Sequence, residues 1–273
     1  MSFHWKMYFS ISHQMIRGGN SMFLALVKKE TKEHIFSRKG LGFLFAVSLL
    51  MSILSFSFIS VKELSLLDQP TVVMTMLKLL LGINILISMV IGSTMIAGEK
   101  EKGTLESLLL TPLTKRNIIL AKLSAILIFW LIVTLVSLPY LFVLAYQANL
   151  FPTILLYLYG IGTVLIISFS SIALIFSTVF VSTKNAMILA IMAFLITAIP
   201  MFLSTTMKKF GLAKVISENS PVSASMTAMK DIFINKLAAS QVLIELIPVF
   251  IFFLLTLFIA LLIAKKVDFL RGE

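Results

Sequence analysis

The sequence predicts an all-α membrane protein with six spans, and three observations carry that expectation. Hydrophobic residues make up 59% of the 273-residue chain and charged residues only 13%, too few to cover a water-facing surface. Apolar runs of about 20 residues, the length that crosses some 30 Å of hydrocarbon, recur along the chain. No polar stretch between them is long enough to fold as a soluble domain. Cysteine is absent, which excludes a disulfide framework, a thiol nucleophile and a thiolate metal site.

The elements follow in order. Residues 1–40 hold too many charges to span, and they are too long and too basic for a simple cleavable signal. Asn20 and Ser21 suit a helix start, and Met22, Phe23, Leu26 and Val27 then share one face. Lys28, Lys29, Lys32, Arg38 and Lys39 would meet the headgroups, so an interfacial amphipathic helix is expected to lead into the first span. Spans are expected at roughly 41–61, 76–97, 117–146, 153–181, 185–207 and 242–264. A tight hairpin from Gln147 to Pro152 separates the third and fourth. The segment 208–240 is too apolar for a free loop. Its Val215, Ile216, Pro221, Val222, Met226, Met229, Ile232 and Phe233 predict two short helices dipping into the outer leaflet around Ser220–Pro221. Residues 41–266 therefore read as one membrane domain, with a short tail at 267–273.

Charge sets the expected orientation. With the N-terminus inside, the N-tail, the loop at 98–116 with Lys122, the turn at 182–184 and the C-tail carry sixteen Lys and Arg residues. The other side holds seven: Lys62, Lys78, Lys208, Lys209, Lys214, Lys230 and Lys236. Both termini are thus expected in the cytoplasm. The net charge of +11 reflects topology and anionic lipid rather than nucleic acid, because no basic domain exists to hold DNA.

Polar residues inside the spans are few. Asn84 and Ser88 lie one turn apart in the second span, and Ser168, Ser170 and Ser171 interrupt the fourth. Such residues let membrane helices pack closely and bond across to one another. Pro139, Pro200 and Pro248 fall in the outer halves of their spans, where they would kink helices or shape a gate. Glu245 is the one acid within an apolar span, near its outer end, and joins Ser220 and Pro221 as a candidate outer gate. His4, His13 and His34 all lie in the N-tail without metal-ligand spacing.

The most informative stretch is a charged island between the second and third spans, Gly98-Glu-Lys-Glu-Lys-Gly-Thr-Leu-Glu-Ser-Leu-Leu-Leu-Thr-Pro-Leu-Thr-Lys-Arg116. Gly98 suits a left-handed cap on the second span. Thr104 suits the start of a short helix with Glu106 in its first turn. Leu105, Leu108 and Leu109 form an apolar stripe. Thr111-Pro112 then breaks the helix, and Pro112 suits the first turn of the next one. The expected form is a short amphipathic element joined rigidly to two spans.

This island, together with Ala121-Lys122, closely resembles the signature of permease subunits of type-2 ABC transporters. The basic N-terminal helix, six spans and short helices before the last span match that family too. The strong motif covers about 25 residues, and the architecture most of the chain. The resemblance implies that the island is a cytoplasmic coupling helix docked on an ATP-binding subunit. It carries that role to Glu99, Glu101, Gly103, Thr104, Leu105, Glu106, Leu108, Leu109, Thr111, Pro112 and Arg116. No phosphate-cradling Gly-x-x-x-x-Gly-Lys-Ser/Thr loop occurs, so ATP and Mg are expected on the partner, and the chain is not itself an enzyme. A half-transporter of 30.4 kDa implies two ATPase copies and a second permease, identical or related. The implied function is ATP-driven export by alternating access across the cell membrane. The alternative is an ABC-type membrane assembly that converts ATPase motion into signalling or mechanical work without exporting cargo.

Overall fold

The computed structural model describes residues 20–60, 69–111, 113–146, 149–198, 219–237 and 239–266. The sequence expectations on residues 1–19, Pro112, Pro200, the upstream part of 208–240 and the tail at 267–273 lie outside the described residues. Among the described residues there are helices and turns but no strand.

Residues 20–35 form helix α1, and Leu26, Val27 and Ile35 bury its apolar face, while Lys28, Lys29 and Lys32 stay exposed. The chain turns sharply into α2, Arg38–Ser60. Ser37 Oγ accepts from the Gly40 amide at 3.0 Å and donates to the His34 carbonyl at 3.1 Å. A Cβ at Gly40 would stand 1.8 Å from that carbonyl oxygen, so only glycine fits the turn.

The second span, α3, runs Gln69–Met95 and begins earlier than the hydropathy alone suggests. The island contributes α4, Ala97–Glu101, and α5, Leu105–Leu109. Next comes α6, Lys115–Ala145, which runs through Pro139 without ending. The fourth long helix is built of α7, Phe151–Tyr157, a π-helical turn, Leu158–Gly162, and α8, Thr163–Val179. Among the described residues, four helical stretches are long and apolar enough to cross a membrane: Arg38–Ser60, Gln69–Glu101, Lys115–Ala145 and Phe151–Val179. Two more, α9 at Thr183–Ala198 and a later helix at Ile247–Ile263, are apolar but shorter. Between these lie α10, Pro221–Phe233, and α11, Ala239–Glu245, followed by α12, Ile247–Ile263.

The centre of the bundle is α3 against α8, with α6, α9 and α12 around them. Small residues permit this closeness. A Cβ on Gly92 would meet the Ala173 Cβ at 3.0 Å and the Ile126 side chain at 3.3 Å. The Trp130 indole packs at Gly162 and donates to Thr163 Oγ1 at 3.3 Å. The polar residues expected to bond across helices mostly serve their own. Asn84 Nδ2 donates to the Leu80 carbonyl, Ser168 Oγ to Val164 and Ser171 Oγ to Ile167, each one turn back. They spare the interior an unpaired polar group and leave small surfaces for packing.

Candidate functional site

The island divides into two parts with different environments. Its first part, α4, is stitched into the bundle. Ser177 Oγ at the end of α8 accepts the Ile96 and Ala97 amides, each at 2.9 Å. Those are the donors freed where α3 breaks into α4. Lys100 Nζ donates to the Thr178 carbonyl. Glu101 reaches the start of α9: Oε1 accepts the Thr183 amide at 2.8 Å, and Oε2 accepts the Thr183 hydroxyl at 3.0 Å. A carboxylate there satisfies an orphan donor and faces the positive end of the helix dipole. Glu101 therefore serves as a cap supplied from 82 residues away.

Glu99 points the other way. Lys122, on α6 about 10 Å from that helix's start at 1.5 Å per residue, is fully buried. Its ammonium donates to Glu99 Oε1 at 2.9 Å, to Glu30 Oε1 of α1 at 2.9 Å and to the Met95 carbonyl at 3.0 Å. All three ammonium protons are thus used. Glu30 is itself only 2% exposed, and its second oxygen lies 3.6 Å from His34 Nε2. Burial pushes the Glu30 carboxyl up, but the His34 contact and the charge and hydrogen bond of Lys122 outweigh it and hold the group down to about 2. Sequence reasoning missed this cluster. Lys122 counted as an orienting charge and as the end of the family signature, with no partner assigned, and Glu30 fell within a stretch read as a headgroup-facing helix. The available signal was an acid on the apolar side of α1, one turn beyond Leu26.

The second part of the island projects. Gly103 turns the chain with φ +66°, a left-handed conformation open to glycine. This corrects the expectation for Gly98, which lies inside α4. Thr104 precedes α5, yet its side chain caps nothing; Oγ1 turns back to the Glu99 carbonyl at 3.4 Å. Lys102, Gly103, Thr104 and Glu106 are exposed, as is Arg116 in the first turn of α6. Leu105 and Leu108 turn inward and join the buried core, with Leu109 half-buried beside them. The apolar stripe is thus spent within the chain. The residue that projects instead is Leu110, 82% exposed. Thr111 Oγ1 closes the helix end on the Leu108 carbonyl at 2.6 Å. The next helix begins at Lys115 and is capped by Thr114, whose Oγ1 accepts from the Asn117 amide. A cleft of about 610 Å³ lies between α1 and the island, lined by Leu26, Lys29, Glu33, Lys102, Thr104 and Leu108 among others.

At the opposite end of the bundle Ser220 caps α10, accepting from the Ser223 amide at 3.2 Å and donating to the Thr197 carbonyl. Pro221, Val222, Met229 and Phe233 are buried. The Tyr157 hydroxyl donates to the Ser225 carbonyl at 2.8 Å. Glu245 ends α11 beside Asp231 of α10, so the one acid expected within an apolar span has an acidic neighbour. Of the two helices expected around Ser220–Pro221, the downstream one is α10; the upstream one lies outside the described residues.

The sequence matches the family described as ABC-2 family transporter protein over residues 24–271. No curated protein matches the chain.

Proposed function

The chain belongs to the ABC-2 family of transporter proteins, as a multi-pass membrane permease subunit, and from that premise we propose that it is one half of an ATP-driven exporter. Family membership implies an ABC ATP-binding partner and a lipid bilayer around the apolar helices. The finer reading has two such ATPase copies carrying ATP and Mg, and a second permease, identical or related. All six apolar helices cross the membrane in it, with both termini and the island in the cytoplasm. Hydrolysis moves the island, and the helices at the permease interface then open to one side or the other. At the far end α10 and α11, with Ser220, Pro221 and Glu245, cover the exit.

The single observation that carries this reading is the projecting half of the island. A large apolar side chain, Leu110, stands almost fully exposed at the tip of a short, internally anchored helix. Burying it in a partner's pocket would gain about 1.5–3 kcal/mol. Thr104, Glu106 and Arg116, close to it in sequence, are exposed too, and a cleft lies between α1 and the island. Glu99 and Glu101, which the resemblance carries to the ATPase contact, instead hold the projecting half in place.

The test is co-purification. Leu110→Asp combined with Glu106→Arg should release the ATPase while leaving the isolated permease as stable as wild type. Retention of the ATPase by this variant at the wild-type level would overturn the docking face.

A further inference from the structure

The Lys122 ammonium joins three other elements to its own helix, two of them through charge. It touches Glu30 of α1, Glu99 of α4 and the Met95 carbonyl that ends α3, all from a position on α6. The contact with Glu30 spans 92 residues of sequence, and that with Glu99 spans 23. One cation thus holds two acids, Glu30 buried and Glu99 half-buried. A buried pair of this kind adds little stability over an apolar contact of the same shape, so its use is better sought in geometry. Low local dielectric makes the arrangement stiff, because each partner left alone would be a buried charge.

We propose that Lys122 is a positioning residue for energy transmission: it makes α1, the 95–101 segment and α6 a single moving body. A push on the projecting half of the island then reaches the third span and the N-terminal helix together. Without Lys122 the island would still dock, because Leu110 and Glu106 are untouched, but α1 would stay behind. Ser177, Lys100 and Glu101 tie the same segment to α8 and α9 through hydrogen bonds to backbone and hydroxyl groups. The charged clamp is what adds α1 to that body. This proposal rests on the docking of an ATPase at the island, and its test separates the two.

The chain contains no cysteine, so paired spin labels can be placed cleanly. Leu24 on α1 and Leu131 on α6 are exposed and lie outside the clamp. In the complex reconstituted with its ATPase, the Leu24–Leu131 distance should be narrow and identical in the nucleotide-free state and with a non-hydrolysable ATP analogue. In Lys122→Gln the distribution should broaden and separate between the two states, and Lys122→Arg should restore it. Glu30→Ala keeps the Lys122–Glu99 pair intact, so it folds even where Lys122→Gln does not. It should also free α1, while the ATPase remains bound. A distribution unchanged in Glu30→Ala and Lys122→Gln, or broadening that arginine fails to restore, overturns the proposal. The same label pair in the isolated permease reads the clamp without a partner. An absent ATPase therefore defeats the docking reading alone, and a narrow distance in Glu30→Ala defeats the clamp alone.

Discussion

Residues 97–101 and 102–111 are adjacent and part of one motif, yet the chain uses them in opposite ways. In the first stretch all three charged side chains, Glu99, Lys100 and Glu101, bond to other elements. In the second, Lys102, Thr104 and Glu106 face outward and Leu110 stands exposed. Gly103, with its positive φ, is the boundary. The contrast teaches that charge in a membrane protein's loop does not by itself mark a docking surface. An acid next to the bundle is more useful as a cap or counter-ion, since the helix ends and any buried cation there need partners. A surface that binds another protein must keep apolar area exposed, and here only the second stretch does so.

The sharpest way to break this contrast is Lys122→Met. It leaves a buried Glu30 and a half-buried Glu99 with no cation between them, a loss expected to cost about 3 kcal/mol. Thermal unfolding of the purified permease should show a large drop, and adding Glu30→Gln to the same chain should recover part of it. If Lys122→Met unfolded at the wild-type temperature, the first stretch would be no better anchored than the second.

Acid titration tests the same side of the comparison more gently. The Glu30 carboxyl sits at about 2 in the folded chain, below the ordinary 4.5. A lowered value means that the carboxylate stabilises the fold above about pH 4.5, and that this contribution fades as the pH falls toward 2. The full contribution is roughly 3 kcal/mol. Wild type should therefore be more stable than Glu30→Gln at neutral pH, and the two should converge between pH 4.5 and 2. A constant difference across that window would mean that Glu30 is not held ionised by Lys122 and His34.

Much of the architecture was legible from hydropathy, because a run of apolar residues in lipid has few options besides a helix. The long helices fall where the runs do, and α1 appears where its apolar face predicts it. The island's anchors were not legible. Glu30 and Lys122 are 92 residues apart, and nothing local in sequence says that an acid on α1 will meet a lysine on α6. Thr183 likewise carries no sign that Glu101 will cap it. The Leu105–Leu108–Leu109 stripe was read correctly as a face but assigned outward. Which way a short amphipathic helix turns depends on whether its own bundle offers a groove, which is tertiary information. Leu110 went unnoticed because it is off the stripe, and a residue off the stripe is the one left to project.

The projecting stretch gives the next effect in size. Leu110→Asp alone should weaken ATPase docking by about 2 kcal/mol, roughly 30-fold in dissociation constant. It should leave the melting temperature of the isolated permease unchanged, because the side chain touches little within its own chain. Leu108→Asp should do the reverse, lowering stability first by placing a charge in the core. Equal effects of the two substitutions on docking and on stability would erase the distinction between inward and outward leucines.

The smallest effect comes from the other end of the bundle, where the question is which stretch α10 resembles. Its buried Pro221, Val222, Met229 and Phe233 make it look anchored, as residues 97–101 are. One polar tie holds it to the fourth long helix, the Tyr157 hydroxyl on the Ser225 carbonyl. Tyr157→Phe removes that bond and keeps the ring, which stays edge-on to Phe233 with centroids 6.1 Å apart. The loss should be near 1 kcal/mol, since one neutral hydrogen bond is removed and no cavity forms. A difference of that size would accelerate amide exchange in α10 by about fivefold if those amides open locally. Exchange in 97–101 should not change, because the hydrogen bonds that hold those residues go to α6, α8 and α9 and none goes to α10. Acceleration confined to α10 would identify it as a separately opening unit, which a cover over an exit requires. Acceleration spread over the whole bundle would mean that α10 opens only when the protein unfolds, and the gate reading of Ser220, Pro221 and Glu245 would then fail.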